Sequence, residues 1–158
     1  MAKPADMTGS LKLINRQRHK PVNSILFKQI ILHVLEKRLK LQDYDLTVQL
    51  LTAAKMAELN QTSLNHKGPT DVITFGYSTL PQVEALAGEL FVCVEVAEDQ
   101  SRTFGTTWQS ELVRYVVHGI LHLLGYDDLE PIERRKMKAA EGRLVRTLEV
   151  EFDLRNIG

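Results

Sequence analysis

His118 and His122 stand four residues apart in "HGILHLLGYDD", and two aspartates, Asp127 and Asp128, follow past Gly125. Residues at i and i+4 of a helix share a face, so both imidazoles project from one surface as a clamp for a metal ion. Gly125 stops the helix and lets the chain turn back, and the spacing His-x3-His-x5-Asp then delivers Asp128 as a third ligand from just beyond it. This predicts about one Zn2+ per chain on His118, His122 and Asp128, with a fourth position open to a water that the metal makes acidic near neutrality. Asp127 is the competing carboxylate; its expected place is behind the ligands, accepting from a histidine N–H or capping the next turn. Gly119 stands where zinc peptidases carry the glutamate that takes a proton from water, so a peptidase built on this clamp lacks its general base. A glycine there is also expected to leave room beside the metal for a bulky or anionic group.

Such a clamp needs a rigid carrier, and "TWQSELVRYVVHGILHLLG" reads as a long apolar helix ending at Gly125. Helical spacing recurs in "PVNSILFKQIILHVLEKRLKL", "TAAKMAELNQTSLN", "AEDQSRTFG" and "EPIERRKMKAAEGRLVRTLEVEF". Strand alternation or β-branched content marks "SLKLINRQ", "YDLTVQLLT", "DVITFGY" and "GELFVCVEV", with "HKGPT" as a loop before the third and a loop containing Pro81 after it. Interleaved strands and helices predict an α/β fold: a single layer of mixed, partly parallel β-sheet of about four strands packed with about five helices, the metal cleft at one edge.

The 158 residues fit a single domain, with a compact core over about residues 11–150 and a flexible start at residues 1–9. No signal-peptide core and no membrane-length apolar run is present, and the single cysteine, Cys93, fits a reducing compartment, so a cytoplasmic, membrane-free protein is expected. Cys93 itself reads as a small strand hydrophobe, and His33 as a helix residue rather than a ligand. The formal net charge is zero, so contact with a polyanion must come from a local patch. Lys12, Arg16, Arg18, His19 and Lys20 form one basic cluster, and Arg134, Arg135, Lys136 and Lys138 another.

"HGILHLLGYD", with "LNHKGPTDVITF" and "GELFVCVEVA", resembles the YbeY endoribonuclease family of zinc-dependent ribosomal RNA maturation factors, from about "INRQR" to the last helix. The resemblance implies an α/β fold with a metal in a cleft. It implies cleavage of single-stranded RNA in ribosomal RNA maturation, including 3′-end processing of the small-subunit RNA, and a part in ribosome quality control. The implied partners are precursor ribosomal RNA and the small ribosomal subunit or its proteins. Two positions depart from the family pattern. Asp128 replaces a third histidine, which should retain zinc while making its water slightly less acidic. Leu64 after Ser63 replaces a cleft arginine preceded by tyrosine, so phosphate stabilisation is expected from His66 or Lys67, which join His118 and His122 as the candidate catalytic set.

Substrate contacts are expected from Arg16, Arg18, Asn65, Lys67, Thr70 and Asp71, with Lys20 adding to a basic patch around the cleft. Thr70 and Asp71 can orient a histidine or water, or cap a turn. Asn60 lies near the same loop. Glu111 is either a buried charge partner or one half of an ordinary helix pair with Arg114. Two other functions are compatible with the residues: a zinc peptidase or amidase-like hydrolase, which Gly119 opposes, and a non-catalytic RNA-binding assembly factor with a structural metal, which Leu64 favours.

Overall fold

In the computed structural model, residues 9–77 and 85–158 are described. Strands β1 (Gly9–Asn15), β2 (Asp43–Leu51), β3 (Val72–Gly76) and β4 (Ala85–Cys93) form one sheet in the order β1-β2-β4-β3. β1 runs parallel to β2 and β2 to β4, whereas β3 is antiparallel to β4 and forms an edge. Around this mixed sheet pack α1 (Ser24–His33), α2 (Ala53–Leu64), α3 (Val94–Phe104), α4 (Trp108–Leu123) and α5 (Pro131–Glu151). The α/β architecture read from the sequence is the one found. Residues 1–8 and the loop containing Pro81 lie outside the described residues, and Gly9 already belongs to β1.

Strand alternation sorts the core into two faces. Tyr44, Leu46, Val48 and Leu50 of β2 join Leu90 and Val92 of β4 against α1, α4 and α5, whereas Leu51, Ile73 and Cys93 meet Met56 of α2 on the other side. Thr107 caps α4 by accepting from the Ser110 N–H, and ten of its sixteen residues are buried, so the clamp helix is also the central helix of the core. No described helix is long and apolar enough to cross a membrane.

Two boundaries differ from the sequence reading. The helix expected through residue 41 closes as α1 at His33 and widens into a π-helical turn, Val34–Arg38, which keeps Val34 and Leu35 both buried. The strand expected through residue 96 ends at Cys93. "VEV" is β-branched at alternate positions, but Val94, Ala97 and Ser101 form the buried stripe of α3, and that tertiary burial overrides local propensity.

Glycines set how closely α4 lies on the sheet. A Cβ on Gly119 would come within 2.7 Å of Leu90 Cδ2 and 3.2 Å of Thr74 Cγ2. From the sheet side, a Cβ on Gly88 would meet the Phe75 carbonyl at 2.7 Å and Leu123 at 2.8 Å. Gly119 therefore faces β3 and β4, and the expectation that it opens space beside the metal is incorrect. Its missing side chain is taken up by helix–sheet contact.

Candidate functional site

His118 and His122 lie on consecutive turns of α4, their ring centroids 5.2 Å apart. Beyond Leu123 the helix closes with the Gly125 N–H donating to the His122 carbonyl and the Tyr126 N–H to that of Leu121. Gly125 takes φ +101°, a conformation that disfavours any side chain, and the chain reverses there. That reversal brings Asp128 Oδ2 to 3.8 Å from His118 Nε2 and 3.7 Å from His122 Nε2. One donor atom from each of the three residues lies within 4.8 Å of the others, so this is a cluster that could hold a metal ion. Ligands about 2.0–2.1 Å from a tetrahedral zinc are about 3.4 Å apart, so the carboxylate–imidazole separations fit such an ion with small side-chain adjustments.

Glu141 of α5 holds the first histidine from behind. Its carboxylate, 2% exposed, accepts from His118 Nδ1 at 2.8 Å and from Arg114 NH1 at 2.9 Å. Burial pushes the Glu141 carboxyl upward, but the hydrogen bonds from His118 and Arg114 and the charge of Lys138 outweigh it and leave the group below the usual carboxylate range. An ionised carboxylate can only accept, so the proton of a neutral His118 belongs on Nδ1 and the Nε2 lone pair points into the cluster. Sequence reasoning missed Glu141. The available signal was its position on the apolar stripe Met137, Ala140, Val145, Leu148 of α5, where a charge has no place unless something pairs it.

Two cavities meet at His118 and Asp71. The metal-side cavity, about 370 Å3, has Leu64, Val72, Ile73 and Thr74 as its other walls together with His122 and Asp128. The second, about 430 Å3, is bounded in part by Thr70, Gln100, Phe104, Arg114, Tyr115 and Lys138. Asp71 Oδ1 accepts from the Val72 N–H at 2.7 Å and from the Thr70 hydroxyl at 3.3 Å, so this pair shapes the mouth of β3, with Asp71 facing both cavities and Thr70 the second alone. The Tyr115 phenol is held far above its usual pKa, first by burial and then by the Glu111 and Asp71 charges, and is a neutral hydroxyl.

Several sequence-predicted residues go elsewhere. Asp127 bonds no histidine; its Oδ1 accepts from the Leu129 N–H, the turn-capping alternative. Exposed His66 and Lys67 line neither cavity, and Leu64 is the wall residue from that segment. Asn65, at φ 56°, ends α2 and accepts from Gln61, while buried Asn60 donates to the Gly68 carbonyl and ties the loop down. Arg16 follows β1, at the edge of the sheet opposite β3, and donates to Gln49; Arg18 is exposed and lines neither cavity. Lys20 pairs with Glu98 of α3 at 2.6 Å. The expected patch of Arg16, Arg18, Lys20 and Lys67 is therefore not assembled around the cleft: Arg16 stands at the edge three strand spacings from β3, about 14 Å, Lys20 is engaged by Glu98, and Arg18 and Lys67 line neither cavity. Glu111 is buried and accepts from the Thr106 hydroxyl at 2.7 Å, while Arg114 bonds Glu141, so of the two alternatives for Glu111 the helix pair with Arg114 does not form.

Comparison with known proteins bears on this site. A family model described as "Endoribonuclease YbeY" matches residues 12–149. A Chlorobium luteolum protein named endoribonuclease YbeY is 40% identical over 90 residues, 57% of this chain and 64% of that protein. One of the same name from Beutenbergia cavernae is 32% identical over 133 residues, 80% of this chain and 89% of its own length. A solution structure of a Thermotoga maritima protein superposes with a TM-score of 0.65 at 28% identity, covering 89% of this chain and 90% of the other.

Proposed function

The chain belongs to the endoribonuclease YbeY family, hydrolases acting on RNA, and from that premise we propose that it is a zinc-dependent endoribonuclease cutting single-stranded RNA. Its work is then maturation of ribosomal RNA, with 3′-end processing of the small-subunit RNA and ribosome quality control as the setting, in contact with the small subunit. The observation that carries the reading is the cluster of His118, His122 and Asp128 at the wall of an open cavity, with three protein donors among the described residues. Three ligands rather than four are the mark of a catalytic zinc site and not of a structural one.

In this reading His118, His122 and Asp128 hold the ion, which supplies Lewis acidity toward a phosphoryl oxygen or a water. Glu141 keeps the His118 proton on Nδ1 and fixes the ring. Arg114, tied to Glu141 by one nitrogen, stands in the adjoining cavity as a guanidinium for the substrate's phosphates, in the role that the resemblance gives to the arginine replaced by Leu64. A peptidase is disfavoured because position 119 faces the sheet and cannot present a base to the metal.

The test is metal analysis combined with cleavage of single- and double-stranded RNA by the parent, His122→Ala, Asp128→Ala and Asp128→His. About one zinc per chain and single-strand cleavage are expected in the parent. His122→Ala should lose both, Asp128→Ala should bind zinc markedly more weakly, and Asp128→His should keep it. Cleavage of casein but not RNA by the zinc-loaded parent overturns the reading.

A further inference from the structure

On the side of His118 away from Leu64 lies the cavity of about 430 Å3, which His118 is the only metal-cluster residue to line. Its volume falls in the range of about 300–1,000 Å3 usual for small-molecule sites. Tyr115, one of its walls, is 5% exposed, and its hydroxyl has no hydrogen-bond partner among the described residues. A buried hydroxyl left this way costs free energy unless a ligand or water supplies the partner. Phe104, at the end of α3 on the same cavity, is 65% exposed, an aromatic ring offered to solvent beside a polar recess. Gln100, one helical turn earlier, adds an amide that can both donate and accept.

Charge in the cavity is also arranged. Its three carboxylates already have donors: Asp71 the Val72 N–H, Glu111 the Thr106 hydroxyl, and Glu141 both His118 and Arg114. Arg114 spends NH1 on Glu141 and keeps its remaining N–H groups, and Lys138 is exposed on the same wall. An aromatic face, an amide and orphan hydroxyl, and two cations beside a metal cluster together match one ligand chemistry: a flat heteroaromatic ring with polar edges, joined to an anion.

We propose that this cleft seats a nucleotide of the substrate next to the scissile phosphate, its base stacked on Phe104 with its polar edge toward Gln100 and the Tyr115 hydroxyl, its phosphate against Arg114 and Lys138. The proposal rests on the endoribonuclease reading and adds to it the part that selects single strands. A base still paired and stacked in a duplex has neither face nor edge free to enter.

The zinc-loaded parent, Phe104→Ala and Tyr115→Phe are compared on a single-stranded RNA and on the same RNA with one abasic position beside the cut. Nucleoside 5′-monophosphates are separately titrated into each protein and followed by amide NMR shifts. Phe104→Ala should raise KM about tenfold, as loss of one base–aromatic stack does, with kcat and zinc content unchanged. The abasic RNA should cost the parent a similar factor and Phe104→Ala almost nothing more, since both remove the same contact. Tyr115→Phe should raise KM while leaving thermal stability equal or higher, a split that a purely structural hydroxyl would not give. Parental KM in both variants, or an abasic penalty equal in parent and Phe104→Ala, overturns the proposal and leaves the nuclease reading standing. If the parent cuts no RNA, the nuclease reading fails instead. The titration then decides this site by itself: shifts at Gln100 and Phe104 with a mononucleotide support a nucleotide seat, and none, or shifts with a peptide alone, overturn it.

Discussion

Replacing Glu141 by glutamine changes one oxygen to an NH2 group in a site 2% exposed, with almost no change of shape. If the amide oxygen keeps Arg114, the NH2 faces His118 Nδ1, which must then accept, and the ring proton moves to Nε2, the nitrogen that faces Asp128. If the amide flips, its NH2 opposes Arg114 NH1, donor against donor. The first arrangement must be undone before a metal can use Nε2, and the second leaves Nε2 free only by giving up the Arg114 hydrogen bond. Breaking one hydrogen bond to restore the other tautomer costs about 1 kcal/mol, and loss of the charged acceptor adds a comparable amount. The sum, about 1.5–3 kcal/mol, corresponds to a zinc affinity roughly 10–100-fold lower, the usual effect of removing a partner behind a metal-bound histidine. The assay is competition for zinc against a chromophoric chelator, with thermal unfolding of the metal-free proteins to separate affinity from folding. A Glu141→Gln protein that unfolds like the parent and binds zinc within about threefold of it refutes the argument, since a tautomer penalty cannot be that small.

Three further outcomes follow from the geometry. Leu64→Arg places a guanidinium on an exposed wall residue of the metal-side cavity and should lower KM for RNA several-fold while steepening the log–log salt dependence of binding by about one; an unchanged slope in filter binding would show that no phosphate reaches that wall. Gly119→Ala forces a Cβ to 2.7 Å from Leu90, and overpacking of about 1–3 kcal/mol less about 1 kcal/mol of helix propensity should leave it destabilised; urea unfolding that shows it more stable than the parent contradicts the close-packing role. The Glu98 carboxyl, hydrogen-bonded by Lys20 and His19 and near Arg102, is held down at about 2 against an ordinary 4.5. Its stabilising contribution is complete above pH 4.5 and is lost as pH falls toward 2, so Glu98→Gln should be the less stable protein at pH 6 and should converge with the parent in acid-unfolding curves below pH 3.

Local signals carried most of the clamp. The i, i+4 histidines, the stop at Gly125 and the return to Asp128 are all decided within eleven residues by helix geometry and one glycine. The strands were legible for a similar reason, since Leu46, Val48 and Leu50 alternate and their alternation is the burial itself. What the sequence hid depends on which element packs on which. Glu141 is 23 positions from the histidine it serves and reaches it only because α5 lies along α4. Arg16 and Lys20 look like cleft residues by charge alone, but the strand order sends β1 to the far edge, and only the parallel β1-β2-β4 pairing reveals it. Gly119 was misjudged in the same way. Read beside His118 it suggests room at the metal, whereas position 119 is turned into the sheet, where α4 needs a residue without a side chain.

If, as the resemblance implies, Asp128 stands where the family has a histidine and Leu64 where it has an arginine, both replacements act on the cleft in the same electrostatic direction. An aspartate in place of a neutral imidazole adds a negative charge at the metal, and a leucine in place of an arginine removes a positive one from the rim. A chain of zero net charge offers no long-range compensation. On the proposed reading the attraction for a phosphate then comes from the ion itself, from Arg114 and Lys138 across His118, and from Arg134, whose guanidinium donates to the Asp128 carbonyl. Arg114 is fixed to Glu141, and Glu141 to His118, so on the proposed reading metal binding and substrate binding share one buried carboxylate. A change at Glu141 should therefore raise KM for RNA as well as weaken zinc, and the rise in KM should persist when excess zinc restores full occupancy, whereas a KM that returns to the parental value would show that Glu141 acts through the metal alone.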